Sequence, residues 1–180
     1  MSFIEDSNFL KDKHKTYIND VILGNNFPYY YQTHDIAGGT GDSFLCHVVL
    51  SRPEERNNTD GINSPHFNFF KDLLETFCKK HNMKVIEIYR IAVNFTFYTG
   101  NPTSLPHVDH VFDHKQLIIY LNNPKDKKSN TVVSNKNKQI IKEVSPKKYK
   151  GFCFDNSLHY LRYPKKGERI LAIITFNADL

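Results

Sequence analysis

Over most of the second half of this chain, apolar positions recur every two residues. Residues 85–98 form the longest such run, and 117–121, 131–133, 139–144, 151–155, 158–163 and 169–176 follow at short spacing. Many short strands divided by turn residues predict an antiparallel sandwich or barrel. No gap among them is long enough for the helix of a parallel crossover. The first half reads differently. Residues 9–23 place Leu10, Ile18, Val21 and Ile22 at loosely helical spacing, and Gly24 is a natural stop. The aromatic run Phe27, Tyr29, Tyr30 and Tyr31 is expected to pack on the main body, and 43–50 reads as a strand. Residues 52–64 are a polar loop. Ser64 as N-cap and Pro65 as first helical residue then open a helix whose stripe is Phe70, Leu73, Leu74, Phe77 and Cys78, ending at Asn82. The expectation is one mainly β domain over 1–180, with helical and loop support in 1–84 and the sheet core in 85–176.

The long run 85–98 alternates in chemistry as well as in hydropathy. Ile91, Val93, Phe95 and Phe97 fall on one face, while Arg90, Ala92, Asn94, Thr96 and Tyr98 fall on the other. One face should meet apolar neighbours, such as the helix after Pro65. The other should meet solvent or a polar cavity.

Composition adds bounds. The 180 residues are 39% hydrophobic and 24% charged, ordinary globular usage, so a disordered chain is not expected. No stretch approaches the roughly 20 apolar residues of a membrane span, and MSFIEDSNF lacks the apolar run of a secretory signal. Cys46, Cys78 and Cys153 are odd in number and far apart, which argues against a disulfide framework and a Cys-ligated zinc site. These readings point to a soluble protein of a reducing compartment. The formal charge of +5 is uneven, because 125–150 holds nine lysines against Asp126 and Glu143. Lysines there suit a solvated edge strand. An acidic or nucleic-acid partner is the less favoured alternative, since the segment has no arginine and only Tyr149 as an aromatic.

The chemistry-bearing residues begin at Pro106-His107-Val108-Asp109-His110. In an extended segment His107 and Asp109 leave the same face and supply two legs of a metal site. His159, fifty residues on, offers a third. Two histidines and one carboxylate suit Fe(II) and leave positions open for a 2-oxo acid and dioxygen. Arg169, ten residues after His159 across the turn 164–167, could return beside it and hold a carboxylate bidentately. His110 and His114, four apart, are competing ligands for a zinc site, and Arg162 is an alternative anion-binder.

His107-Val-Asp109, then Ile119-Tyr120-Leu121-Asn122, then His159 and Arg169 resemble the 2-oxoglutarate- and Fe(II)-dependent dioxygenases. The likeness is to the prolyl-4-hydroxylase-like branch and to the short oxygenases of that type in bacteriophage genomes. It covers about 85–176. It implies a double-stranded β-helix (jelly roll), with His107, Asp109 and His159 as iron ligands. It further implies that Arg169 and Tyr120 hold the distal carboxylate of 2-oxoglutarate, with Thr131 and Asn94 also reaching the co-substrate. The turn before Thr131 lacks the family's glycines. The implied activity is hydroxylation of a C–H bond, with 2-oxoglutarate converted to succinate and CO2 and ascorbate as a possible reductant. The implied location is the cytoplasm, that of the host for a phage-encoded chain. Peptide, protein and small-molecule substrates stay open, as does the oligomeric state. Two rival readings also stand: a non-catalytic metal-binding jelly roll, and a zinc hydrolase using His107, His110 or His114.

Overall fold

The structure, a computed structural model, describes residues 2–33 and 41–179. The strands are β1 (Phe3–Asp6), β2 (Tyr30–Gln32), β3 (Phe44–Leu50), β4 (Lys84–Phe97), β5 (Lys115–Tyr120), β6 (Thr131–Ser134), β7 (Ile140–Val144), β8 (Gly151–Asp155), β9 (Leu158–Leu161) and β10 (Glu168–Asp179). The helices are α1 (Asp12–Tyr17), which runs into a π-helical turn at Ile18–Ile22, and α2 (Phe67–Lys80). A large sheet has the order β1-β8-β5-β10-β4-β3-β2, and a small one β7-β6-β9. Every paired strand is antiparallel. Together they form the antiparallel architecture expected from the alternation, as the double-stranded β-helix that the resemblance implied. No described helix is long and apolar enough to cross a membrane.

Each strand of the large sheet sorts its residues onto two faces. Ile91, Val93, Leu117, Ile119, Cys153, Ile170, Ala172 and Ile174 point outward to Phe70, Leu73, Leu74 and Phe77 of α2, forming the main core. Burying each large α2 side chain contributes about 2 kcal/mol relative to exposure. The inward face reads across the ladder in rungs. Cys46, Asn94, Leu171 and Tyr120 make one; Val48, Ala92, Ile173, Ile118 and Phe152 make the next; Arg90, Thr175, Gln116 and Phe154 make a third. Ile118, Tyr120, Leu171, Phe152 and Phe154 meet Val133 and Val144 of the small sheet, closing part of the interior. The remainder stays open as a cavity.

The first 84 residues are more than support, since β1, β2 and β3 all belong to the large sheet. β1 was not legible. It is four residues long, and its pairing with β8 (Phe3 opposite Phe154, Ile4 opposite Cys153) is what makes it a strand. The expected helix over 9–23 is shorter and split, with Phe9 and Leu10 placed in the core ahead of α1. Helix α2 starts at Phe67, capped by His66. Ser64 Oγ instead lies 2.8 Å from His47 Nε2 and accepts the His66 N–H, so Pro65 sits in the approach turn. Asn82 ends the helix in the left-handed region at φ 56°, which asparagine tolerates. Of the aromatic run, Phe27 is buried and Tyr29 packs on Phe95, but Tyr30 and Tyr31 are more than 60% exposed. The lysine-rich segment contains β7, which is an edge of the small sheet. Lys142 and Lys150 both pair with Glu5. All three cysteines are buried and unbridged.

Candidate active site

His107 lies in the irregular segment between β4 and β5, and His159 in β9. The two pair as an isolated antiparallel bridge: His107 N–H donates to the His159 carbonyl (3.0 Å), and His159 N–H to that of His107 (2.9 Å). Backbone pairing thus brings together two imidazoles far apart in sequence, with ring centroids 4.6 Å apart. One potential ligand atom from each of His107, Asp109 and His159 falls within 4.8 Å of the others. His107 Nδ1 is 3.0 Å from the Leu105 carbonyl and His159 Nδ1 is 3.0 Å from that of Ser157. Each Nδ1–H therefore donates to backbone, which leaves Nε2 as the nitrogen directed toward a metal.

Asp109 is oriented by two arginines. Arg52 donates to its carbonyl and, at 3.3 Å, to Oδ1; Arg90 reaches the same Oδ1 at 3.5 Å. Oδ2 is buried with no hydrogen-bond partner among the described residues and sits 3.5 Å from His159 Nε2. An orphaned carboxylate oxygen facing an imidazole lone pair is costly unless a cation lies between them. Burial favours protonation of Asp109, but His159, Arg90, His107 and Arg52 outweigh it and hold the carboxyl well below the usual carboxylate range. Burial, then His107, pushes His159 down to about 4. Both groups are in the ligating state at neutral pH. The donor set fits an octahedral divalent ion such as Fe(II).

These side chains line one cavity that opens to solvent. Arg169, at the start of β10, points into it and is only 2% exposed. Its Nη2 donates to Thr131 Oγ1 (2.6 Å), which also lies 2.6 Å from the Tyr120 hydroxyl. Its Nε has no partner, and no acidic side chain pairs with it among the described residues. Burial lowers its pKa against the opposing effect of Tyr120, and burial raises that of Tyr120. A buried guanidinium so placed calls for an external anion. Thr131 lies two residues along β6 from Val133, which pairs with His159. The step from the imidazole to the arginine end is therefore about 7 Å along the strand, a reach that suits a short dicarboxylate.

Asn94 lines the same cavity, its Oδ1 3.2 Å from Cys46 Sγ. His110 and His114 join no group of three ligands among the described residues. His110 Nε2 bonds Thr175 Oγ1 at 2.8 Å, and burial, with Arg52 and His114 adding, pushes its pKa to about 4. Arg162 pairs outside with Glu143 at 2.7 Å. Sequence reasoning did not assign Arg52, Arg90 or Gln116, whose amide nitrogen is 3.4 Å from His159 Nε2. Alternation carried a signal for two of them: Arg90 shares the polar face of β4 with Asn94, and Gln116 lies in phase with Tyr120.

No protein-family model and no curated protein sequence matches the chain. Solved structures do. A 2OG-Fe(II) oxygenase family oxidoreductase from Burkholderia pseudomallei superposes with a TM-score of 0.73 at 16% identity, over 97% of this chain and 84% of that one. A prolyl hydroxylase from Trichoplax adhaerens, solved with a hypoxia inducible factor peptide fragment, gives 0.63 at 13%, over 97% and 83%. The viral collagen prolyl hydroxylase of Paramecium Bursaria Chlorella virus-1, in complex with 2OG, gives 0.59 at 17%, over 100% and 97%. The fold is that of the 2-oxoglutarate- and Fe(II)-dependent oxygenases, and its structural neighbours include prolyl hydroxylases.

Proposed function

We propose that the protein is an Fe(II)- and 2-oxoglutarate-dependent dioxygenase that hydroxylates a C–H bond of a peptide, protein or small-molecule substrate. His107, Asp109 and His159 would hold the iron, and Arg169 the distal carboxylate of 2-oxoglutarate, with Tyr120 and Thr131 fixing the guanidinium. Asn94 would line the co-substrate's flank. The observation that carries the reading is the pairing of two unmet demands in one cavity. One is an orphaned carboxylate oxygen beside two imidazoles; the other is a buried arginine with no acidic partner among the described residues. A cation answers the first and a dicarboxylate the second. A metal-binding module without oxygenase activity would need the first only.

When bound, the iron supplies redox activation of dioxygen, coupled to conversion of 2-oxoglutarate to succinate and CO2. The chain's own contributions are positional. The carbonyls of Leu105 and Ser157 hold both imidazoles in the ligating tautomer. Arg52 and Arg90 fix Asp109 with one oxygen free. Leu171 and Ile173 make the adjoining wall apolar and limit water.

Anaerobic titration of the purified protein with Fe(II) and then 2-oxoglutarate tests this. The expected result is a weak visible charge-transfer band that requires both components and disappears in His159→Ala. Metal binding with no band on adding the 2-oxo acid would overturn the oxygenase reading.

A further inference from the structure

The cavity carries more positive charge than the proposed chemistry uses. Among the described residues, three arginines (Arg52, Arg90 and Arg169) and one carboxylate (Asp109) line it, a formal +2 before any metal enters. A divalent ion adds two charges and a bound dicarboxylate removes two, so an excess of two remains. The excess is localised. Arg169 is opposite Thr96 on the ladder, and Arg90 is opposite Thr175. Six residues of β10, about 20 Å of strand, separate the two levels. Arg169 is accounted for by the co-substrate at its own end; Arg52 and Arg90 lie at the other, beside Asp109.

Those two guanidiniums are incompletely satisfied. Each pairs with Asp109 and with no other carboxylate among the described residues: both reach Oδ1, at 3.3 and 3.5 Å, and Arg52 also donates to the Asp109 carbonyl. A guanidinium offers five N–H donors in a rigid fork. Contacts to this one residue occupy only a minority of those donors, and the remaining charge of Asp109 would be claimed by the metal. Their side chains are 20% and 12% exposed, so water screens them poorly. Glu54 and Glu55 are nearby, but they stand exposed on the outer groove, where solvent screens them. Arg52 lines both that groove and the inner cavity. It stands where an incoming molecule passes from surface to metal.

We propose that Arg52 and Arg90 form a second anion site at the metal end of the cavity, which holds a carboxylate of the oxidised substrate. The inference rests on the oxygenase reading and deepens it by assigning the substrate a negative charge. The guanidinium fork matches a carboxylate in two-point contact. Phe44 and Ile173 line the same space, so the group joined to that carboxylate has an apolar part.

Paramagnetic relaxation tests the assignment. The full chain, loaded with Mn(II) in place of iron and saturated with 2-oxoglutarate, is titrated with N-acetyl-L-glutamate amide and with its neutral isostere N-acetyl-L-glutamine amide. The metal should relax the protons of the charged probe at least roughly tenfold more strongly, the scale of a charge-assisted pair. Arg90→Gln, read at Mn(II) and 2-oxoglutarate concentrations that saturate the variant, should abolish that difference, and Arg90→Lys should restore only part of it, because a single ammonium lacks the two-point fork. Arg52→Gln, in a loop, gives the same reading should Arg90→Gln fail to fold. Equal relaxation by the two probes, or a preference that survives both variants, would overturn the proposal. So would loss of Mn(II) binding in both variants, which would make the arginines positioning residues for Asp109 only. A glutamate-containing heptapeptide relaxed more strongly than the small probe would identify the source as an acidic side chain; the reverse order would identify a small free acid. Failure of the wild type to bind Mn(II) would sink the metal reading by itself. Saturation-transfer from the metal-free protein to the same two probes would then still decide the arginine pair.

Discussion

The two faces of the large sheet are built from the same strands and are both buried, yet they obey different rules. Outward, Ile91, Leu117, Ile119 and Ile174 interlock with Phe70, Leu73, Leu74 and Phe77 of α2 at zero or near-zero exposure. Inward, beside the apolar patch that meets the small sheet, Gln116, Arg169 and Thr175 are equally hidden but polar, and Arg90 is half-buried among them. Burial of apolar surface explains the first face. It opposes the second, because a buried guanidinium or amide gains nothing from leaving water unless something pairs with it. One face therefore holds the molecule together, and the other gives up stability to keep a charged, partly unsatisfied space open.

That contrast can be broken most forcefully from outside. Phe77→Ala, in the centre of the outward core, should cost about 3–5 kcal/mol in a denaturant melt. A loss under about 1 kcal/mol would mean that α2 is not the main support. His159→Ala, inside, should do the opposite: unfolding shifts little, while Fe(II) affinity measured by anaerobic dialysis falls more than the ~10–100-fold typical of losing an outer-shell partner. Unchanged affinity would remove His159 from the ligand set. Arg169→Met keeps volume and removes a buried charge, so stability should hold or rise slightly. Half-saturation by 2-oxoglutarate, followed by the visible band, should nevertheless rise by tens-fold, since a charge-assisted two-point contact is lost. An unchanged requirement would free Arg169 from the co-substrate role.

The smallest effect lies on the surface, as a control on both faces. Asp72 bonds Lys13 and His14, and those bonds, opposed by slight burial, depress its pKa from 3.8 to about 2. A depressed carboxylate contributes its stability above the unfolded value, and that contribution is lost as pH falls from about 4 through 2. The side chain is 38% exposed, so Asp72→Asn should lower the melting temperature at pH 7 only slightly, by under ~1 kcal/mol in stability. The gap to wild type should close near pH 2. A gap that persists there would show a contribution from packing instead of charge.

Much of this was legible along the chain. The split of β4 into an apolar face against α2 and a polar face toward a cavity follows from alternation, because a strand cannot turn consecutive side chains the same way. His107 and Asp109, one residue apart, share a side for the same reason. The N-terminal half was read less well. β1 is a strand only because β8 offers it a free edge, and Ser64 leaves its capping place because His47 competes for its hydroxyl.

Local periodicity, turn residues and the spacing of a few polar side chains by themselves determined a mainly antiparallel sheet, a helix on its outer face and a short set of candidate ligands. Tertiary structure alone decided the rest. The bridge between His107 and His159 closes a loop of about fifty residues, and no local pattern encodes which distant histidine it selects. The convergence of Arg52 and Arg90 on one oxygen of Asp109 joins three separate segments. Whether Arg169 is a surface charge or a buried one awaiting an anion depends on what closes over it. These are long-range contacts, fixed by sheet register and by the cost of leaving a buried charge unpaired, and both become defined only once the two sheets face each other.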